Sequence, residues 1–518
     1  MRLVKKSELD FTRVNTVITG LIVGLITGVV VSLFRWSIEH GLLLVKSAVG
    51  VLHKQPLLLI VAIIVIIIVG GVIGLLVKTS PQISGSGIPQ VEGQLAGEFD
   101  FPWWTTLWKK FVGGVLAIGS GLMLGREGPS IQLGATVGDG YAHLTQKSGA
   151  QRRVAIASGA AAGLAAAFNA PIASTLFVLE EIYHNFSPLV WLTSLTSAVM
   201  ANFVSMVIFG QTPVLHMVYT APLPLTKYWL LLGLGVLLGL LGRLYQVVLL
   251  RLPQWYAYLP LPRYLHGIVA MLLTLPVAWW FTDLLGGGNS VILHLSQWQL
   301  GTGMLLLVFV IRFVFSMVAY GSGLPGGIFL PILTLGAVIG ALYGHVMVVL
   351  GVLSAGYVTN LVITAMAGYF AGIGKAPFTA ILLITEMVGS LKHLMPLAVV
   401  SLVAYITVDL CGGAPIYATL LERMVTPQAI QKHSYTDRLE VPVFEASFLA
   451  GHQVREFKWP AQSLLIEVTR GEQTLIPRGD TVLRAGDTLV LEVQHHEQAL
   501  IRKQVAEMSE QPDVRTGD

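Results

Sequence analysis

One cysteine, Cys411, is all that 518 residues contain, so an internal disulfide framework is excluded. Charge is scarce too: 12% of residues are charged, against about a quarter in a soluble domain, which excludes a soluble globular protein as the main body. No His-Glu-x-x-His zinc motif, phosphate-binding loop or paired nucleophile and base occurs, which argues against an intramembrane enzyme and implies no cofactor. His495 and His496 are adjacent rather than at metal-ligand spacing, so they read as surface residues and no metal is expected. The net charge of +4 is a poor guide to partners, because residues 1–426 carry 22 Lys and Arg against 14 Asp and Glu while residues 427–518 carry 10 against 14. A basic first part marks cytoplasmic loops or an attraction for anions, and nucleic acid is not implied.

What the chain does have is apolar residue, at 54%. Runs such as Val14 to Phe34, Pro56 to Val77, Trp229 to Leu241, Gly267 to Trp280, Met304 to Val318 and Met395 to Val408 imply many spanning or buried helices in a bilayer. The first run exceeds a signal-peptide core, lacks a small-residue cleavage site and follows Arg2, Lys5 and Lys6. It is expected to be retained, with the N-terminus cytoplasmic.

Inside this apolar background lies Glu127, in Gly125-Arg126-Glu127-Gly128-Pro129-Ser130. A carboxylate at membrane depth costs about 2.5–3.5 kcal/mol on insertion scales, so its default reading is an ion or proton pathway. The surrounding segment recurs: Gly125 to Gly138 aligns with Gly327 to Gly340, and Asn169 to Ala173 with Glu180 aligns with Lys375 to Thr379 with Glu386. Two ordered matches imply duplicated halves, a common transporter plan with the substrate site at the interface. Glu127 falls opposite Phe329 and Glu181 opposite Met387, so helix architecture does not require these two acids. Glu180 and Glu386 match each other, which suits a structural hydrogen bond or cap.

Gly- and Pro-rich interruptions occur at Gly85-Ser86-Gly87-Ile88-Pro89, Gly125 to Pro129, Gly321 to Pro331 and Gly412 to Tyr417. Non-helical backbone at membrane depth is tolerated where it is buried in protein or lines a cavity. Pro129, Pro171, Pro331 and Pro377 fit the first turns of helices, whose unpaired N–H groups bind anions. Ser86 and Tyr417 add hydroxyl donors, and Phe329 adds an apolar wall and a backbone N–H. Taken singly, Ser86 also reads as a helix cap, Tyr417 as an interfacial anchor and Arg126 as an ion-pair partner.

These motifs, with Phe168-Asn169-Ala170-Pro171, Glu180-Glu181 and Gly412-Gly413-Ala414-Pro415-Ile416-Tyr417, resemble the CLC chloride channel and transporter family over about residues 14–425. The resemblance implies an all-α polytopic membrane protein with two inverted repeats of tilted and broken helices, a homodimer, and one anion pathway per subunit. By position it makes Ser86, Ile328, Phe329 and Tyr417 the chloride ligands, Glu127 the external gate and Glu181 the internal proton-transfer acid. Acids at both places resemble the exchanger branch, which implies a chloride–proton antiporter of a bacterial plasma membrane; the alternative is a passive gated chloride channel, ahead of an intramembrane enzyme or a membrane sensor. Leu330 departs from the common family pattern and leaves the packing around the Phe329 and Ile328 amides open.

Past Glu422 the character changes to short strand signals, Ser463 to Val468 and Thr488 to Val493, separated by Gly- and Pro-containing turns. With Ile476-Pro477-Arg478-Gly479-Asp480-Thr481 and Gly486-Asp487, this segment resembles the TrkA-C domain of potassium-transport regulators. That implies a small α+β cytoplasmic domain, which either takes a small-molecule regulator or braces a dimer. The expected division is a transport domain at 1–426, a linker at 427–438, the TrkA-C-like domain at 439–496, and a short helix with a disordered tail at 497–518.

Overall fold

Long apolar stretches fold as helices, and the Gly- and Pro-rich interruptions become the places where helices stop and restart. The computed structural model describes residues 11–184, 187–215, 217, 221–295, 300–425, 436–445, 447–471, 473–494 and 498–510. Two compact units result: Met1–Glu92, Phe101–Thr145 and Val154–Arg423 form the first, and Gly93–Asp100, Gln146–Arg153 and Met424–Asp518 the second. The charged N-terminus, the His495-His496 pair, most of the linker and the tail from Gln511 lie outside the described residues.

The helices of the first half are α1 (Phe11–Lys54), α2 (Leu59–Thr79), α3 (Ile88–Ala96), α4 (Trp103–Gly119), α5 (Glu127–Leu144), α6 (Gly149–Phe168), α7 (Pro171–Phe177) and α8 (Pro188–Phe209). The second half supplies α9 (Trp229–Tyr256), α10 (His266–Trp280), α11 (Asn289–Leu295), α12 (Thr302–Gly321), α13 (Phe329–Val349), α14 (Val358–Gly374), α15 (Pro377–Val388) and α16 (Leu394–Leu410), followed by α17 (Ile416–Met424). Among the described residues, eight helices are long and apolar enough to cross a membrane. Their outward faces carry side chains such as Ile60, Ile68, Val207 and Leu402, exposed in a way that only a lipid solvent makes favourable.

The halves repeat each other as two inverted units, element for element. α1 packs on α8 as α9 packs on α16, and α4 packs on α5 as α12 packs on α13. Equivalent helices also meet across the repeat boundary, in the pairs α2 with α10, α5 with α13 and α7 with α15. At the centre, Gly125 and Gly327 exchange two antiparallel backbone hydrogen bonds, each 2.7 Å. A residue that pairs reciprocally with its own repeat equivalent marks a local two-fold axis.

Small residues allow this closeness. A Cβ on Gly134 or Gly138 would collide with the backbone of α6, and one on Gly159 or Gly163 with that of α5. The turns between helices repeat too: Asn169 (φ 54°) and Lys375 (φ 63°) close α6 and α14 in the left-handed region, and Pro171 and Pro377 open α7 and α15. Pro129 and Pro331 sit in the first turns of α5 and α13 as expected.

In the second unit, β1 (Thr436–Pro442), β2 (Ser463–Arg470), β3 (Gln473–Leu475) and β4 (Asp487–Gln494) form an antiparallel sheet in the order β1-β4-β2-β3. Leu439, Val468, Leu489, Leu491 and Val493 from the strands pack with Ile501 and Val505 of α18 (Gln498–Glu510). The two strands legible in the sequence are neighbours in this sheet. β1 begins at Thr436, inside the stretch read as linker, because pairing along β4 extends a polar strand start that carries no apolar signal.

Candidate functional site

Buried residues from several elements gather around the joined starts of α5 and α13. Each helix begins directly after one of the paired glycine segments, so the free N–H groups of both first turns are brought to one place. Glu127 is the first residue of α5 and is fully buried. Its carboxylate folds toward the backbone N–H groups of Arg126, Glu127 and Leu330, the last of these from the first turn of α13. A Cβ on Gly125 would stand 2.5 Å from Glu127 Oε2 and 3.1 Å from the Leu330 nitrogen, which places that oxygen over Gly125 beside the α13 start. Neither carboxylate oxygen reaches a full hydrogen-bond geometry.

Ser86 comes from the loop before α3 and is 2% exposed. It lies against Gly128, where an added Cβ would overlap the Ser86 hydroxyl. The Tyr417 side chain enters from the first turn of α17 and is fully buried. Neither hydroxyl group has a hydrogen-bond partner among the described residues. An unspent buried hydroxyl costs about 1–3 kcal/mol, so two in one region suit a bound acceptor such as a small anion. Ile328 caps α13 and Phe329 opens it, with both side chains buried.

Phe329 is part of an aromatic cluster that sequence reasoning did not find. Its ring centroid lies 4.3 Å from that of Phe370, 5.3 Å from Phe168 and 5.7 Å from Phe177. Phe177 in turn stands edge-on to Tyr417 at 6.2 Å. Phe168 was quoted only as part of a motif, and Phe177 and Phe370 sit in apolar helical context, so spacing gave no signal for them. The structure therefore brings Phe329 and Tyr417 to one cluster through Phe177, and Ser86 to the first turn that carries Glu127.

Glu181 lies elsewhere, 7% exposed, in a π-helical turn (Val178–Ile182) that continues α7. Such single-turn widenings are frequent at functional sites. Glu180 and Glu92 are its charged neighbours. Glu92, 6% exposed and 3.5 Å from His184 Nε2, is a further acid on this side that the sequence did not single out.

Three residues have structural roles. Glu180 accepts hydrogen bonds from the Thr379 N–H (3.0 Å) and Oγ1 (2.6 Å), while its equivalent Glu386 accepts from the N–H groups of Ile172 (3.2 Å) and Ala173 (2.8 Å). Each acid caps the first turn of the other half's short helix. Arg126 forms its ion pair with Glu39, at 2.7 Å from Nη1, rather than with its sequence neighbour Glu127. A pairing with Glu39, 87 residues away, is invisible in a local motif.

Comparison with known proteins agrees with this fold. The voltage gated chloride channel family model matches residues 69–409, and the TrkA-C domain model matches residues 439–506. The H(+)/Cl(-) exchange transporter ClcA of Vibrio vulnificus is 34% identical over 443 residues, covering 82% of this chain and 93% of the relative. The protein of the same name from Vibrio cholerae is 38% identical over 371 residues, 69% of this chain and 78% of the relative. Among solved structures, a slow cyanobacterial Cl-/H+ antiporter superposes with a TM-score of 0.75 at 32% identity, covering 80% of this chain and 98% of that one.

Proposed function

Since the chain belongs to the voltage-gated chloride channel family, we propose that it is a secondary antiporter exchanging chloride for protons across a membrane. The observation that carries this reading is the position of the Glu127 carboxylate at the shared start of α5 and α13, facing the Leu330 amide, where an anion could accept from the free N–H groups of the two helix starts. An ionised Glu127 competes with chloride for that place. A protonated Glu127 loses its attraction and leaves, admitting the ion, so each anion passage is tied to a proton. Ser86 and Tyr417 donate their hydroxyls to chloride, and Ile328 and Phe329 offer backbone N–H groups. Glu181 passes protons from the cytoplasmic side toward Glu127.

The exchanger reading is supported over a passive channel by relatives above 30% identity whose names and titles describe chloride–proton exchange. The same resemblance supports a homodimer in a bacterial plasma membrane with both termini cytoplasmic, and a second unit that either takes a small-molecule regulator or braces the dimer. Reconstitution in lipid vesicles with simultaneous chloride and pH recording tests the mechanism. The wild type is expected to move protons when driven by a chloride gradient. Glu127→Ala should abolish coupling, and Glu181→Ala should keep chloride flux while losing proton movement. Proton transport equal to wild type in both variants would sink the assignment, and chloride flux without any wild-type proton movement would make the protein a channel.

A further inference from the structure

Arg312 and Lys110 are both among the largest fully buried side chains of the molecule, and both are cationic. They are 202 residues apart, the same offset that relates Glu127 to Phe329, so they occupy one position of the repeat. Their contacts repeat as well. Lys110 Nζ donates to the carbonyl oxygens of Ile83 (2.9 Å) and Gly85 (2.8 Å), and Arg312 Nη1 donates to those of Leu284 (2.9 Å) and Gly286 (2.7 Å), with Nη2 reaching Gly287. In each half a buried cation thus ties down the glycine-rich loop that precedes a short helix, α3 in one case and α11 in the other.

Neither cation has a carboxylate partner among the described residues. An isolated charge in a low-dielectric interior is strongly disfavoured unless an opposite charge accompanies it. Arg312 cannot escape by giving up its proton, so this repeat position is built to hold a full positive charge. Lys110 bonds the carbonyl of the Gly85–Ser86 peptide, which puts its ammonium one peptide unit from Ser86, whose buried hydroxyl has no partner among the described residues. Arg312 stands correspondingly behind Gly287 and Gly288, and these two glycines line a cavity of about 310 Å³ together with Arg126, Glu39, Asn289 and Leu330.

We infer that Lys110 is the fixed countercharge of the anion held at the Ser86 loop, and that Arg312 is its repeat-related counterpart at the Gly287 loop. The negative charge missing from the protein is supplied by the ion in transit. Lys110 is a positioning residue: it acts through the Gly85–Ser86 peptide and its field. This rests on the reading of Ser86 as a chloride ligand.

Chloride binding to the full-length purified protein, measured by isothermal titration calorimetry in detergent, tests it with Lys110→Met, Lys110→Gln and Lys110→Arg. Lys110→Met and Lys110→Gln should weaken chloride by about tenfold or more, the scale of one lost buried charge interaction. Lys110→Arg should restore affinity to within a few-fold, and the rise in melting temperature on replacing gluconate by chloride should follow the same order. Lys110→Gln keeps a donor for the loop carbonyls, so it preserves the test where Lys110→Met fails to fold. Chloride affinity of Lys110→Gln within twofold of wild type would overturn the inference. Wild type that binds no chloride would instead overturn the chloride-site reading beneath it.

Discussion

Gly128 has no side chain, and the Ser86 hydroxyl occupies the space where one would be. That single contact fixes the Ser86 loop to the helix turn carrying Glu127, so the two residues share one geometry. Overpacking a tight interior costs about 1–3 kcal/mol, and 1.4 kcal/mol is a factor of ten in an equilibrium. Gly128→Ala is therefore expected to weaken chloride binding by about tenfold, read from a binding isotherm, while an unchanged isotherm would separate Ser86 from the α5 start. Glu127 and Phe329 could be singled out from sequence because a duplicated segment offers its own control. A residue present in one copy and replaced in the other is freed from the requirement of the shared fold. Arg126 could not be resolved this way, since its partner Glu39 belongs to α1.

Among the elements, the short helices α7 and α15 have reciprocal caps, and this accounts for two of the acids without any transport role. A cap of this kind contributes about 0.5–2 kcal/mol. In the second unit, β4 is fastened to β2 by a bidentate pair in which Arg470 Nε and Nη2 donate to Asp487 at 2.8 and 2.7 Å, with the Arg484 N–H adding a third bond at 2.8 Å. Burial of Asp487 works to raise its carboxyl, but these hydrogen bonds and the two arginine charges outweigh it and hold the group below its ordinary value. A carboxyl depressed in the fold stabilises it above the unfolded value of about 3.9 and loses that contribution as pH falls through the lower folded value. Protection factors of the β4 amides, which divide out the intrinsic pH dependence of exchange, should accordingly fall below about pH 4 in the wild type. Asp487→Asn should exchange faster already at neutral pH and lose that acid-side dependence. An unchanged profile in the variant would show the pair to be idle. The motif around Gly486 and Asp487 was legible because turn chemistry is local, whereas β1 and β3 take their identity from the strands they pair with.

For the whole molecule, the apolar outer faces of eight spanning helices predict that alkaline carbonate washing leaves the protein in the membrane pellet, as assayed by immunoblot; release into the supernatant would contradict an integral protein. Composition and apolar run length, read along the chain, established the membrane class, because spanning length and hydropathy are properties of contiguous residues. Internal comparison established duplication and the unequal acids, because a repeat leaves the same small residues and prolines at the same offsets. Tertiary structure alone decided the rest. The Gly125–Gly327 pairing that joins two helix starts, the aromatic cluster about Phe329, the Glu39 partner of Arg126 and the carboxylate-free burial of Lys110 and Arg312 are contacts between residues tens to hundreds of positions apart. No local pattern encodes them, because such contacts exist only once the two halves have closed on their common axis and removed the buried groups from water.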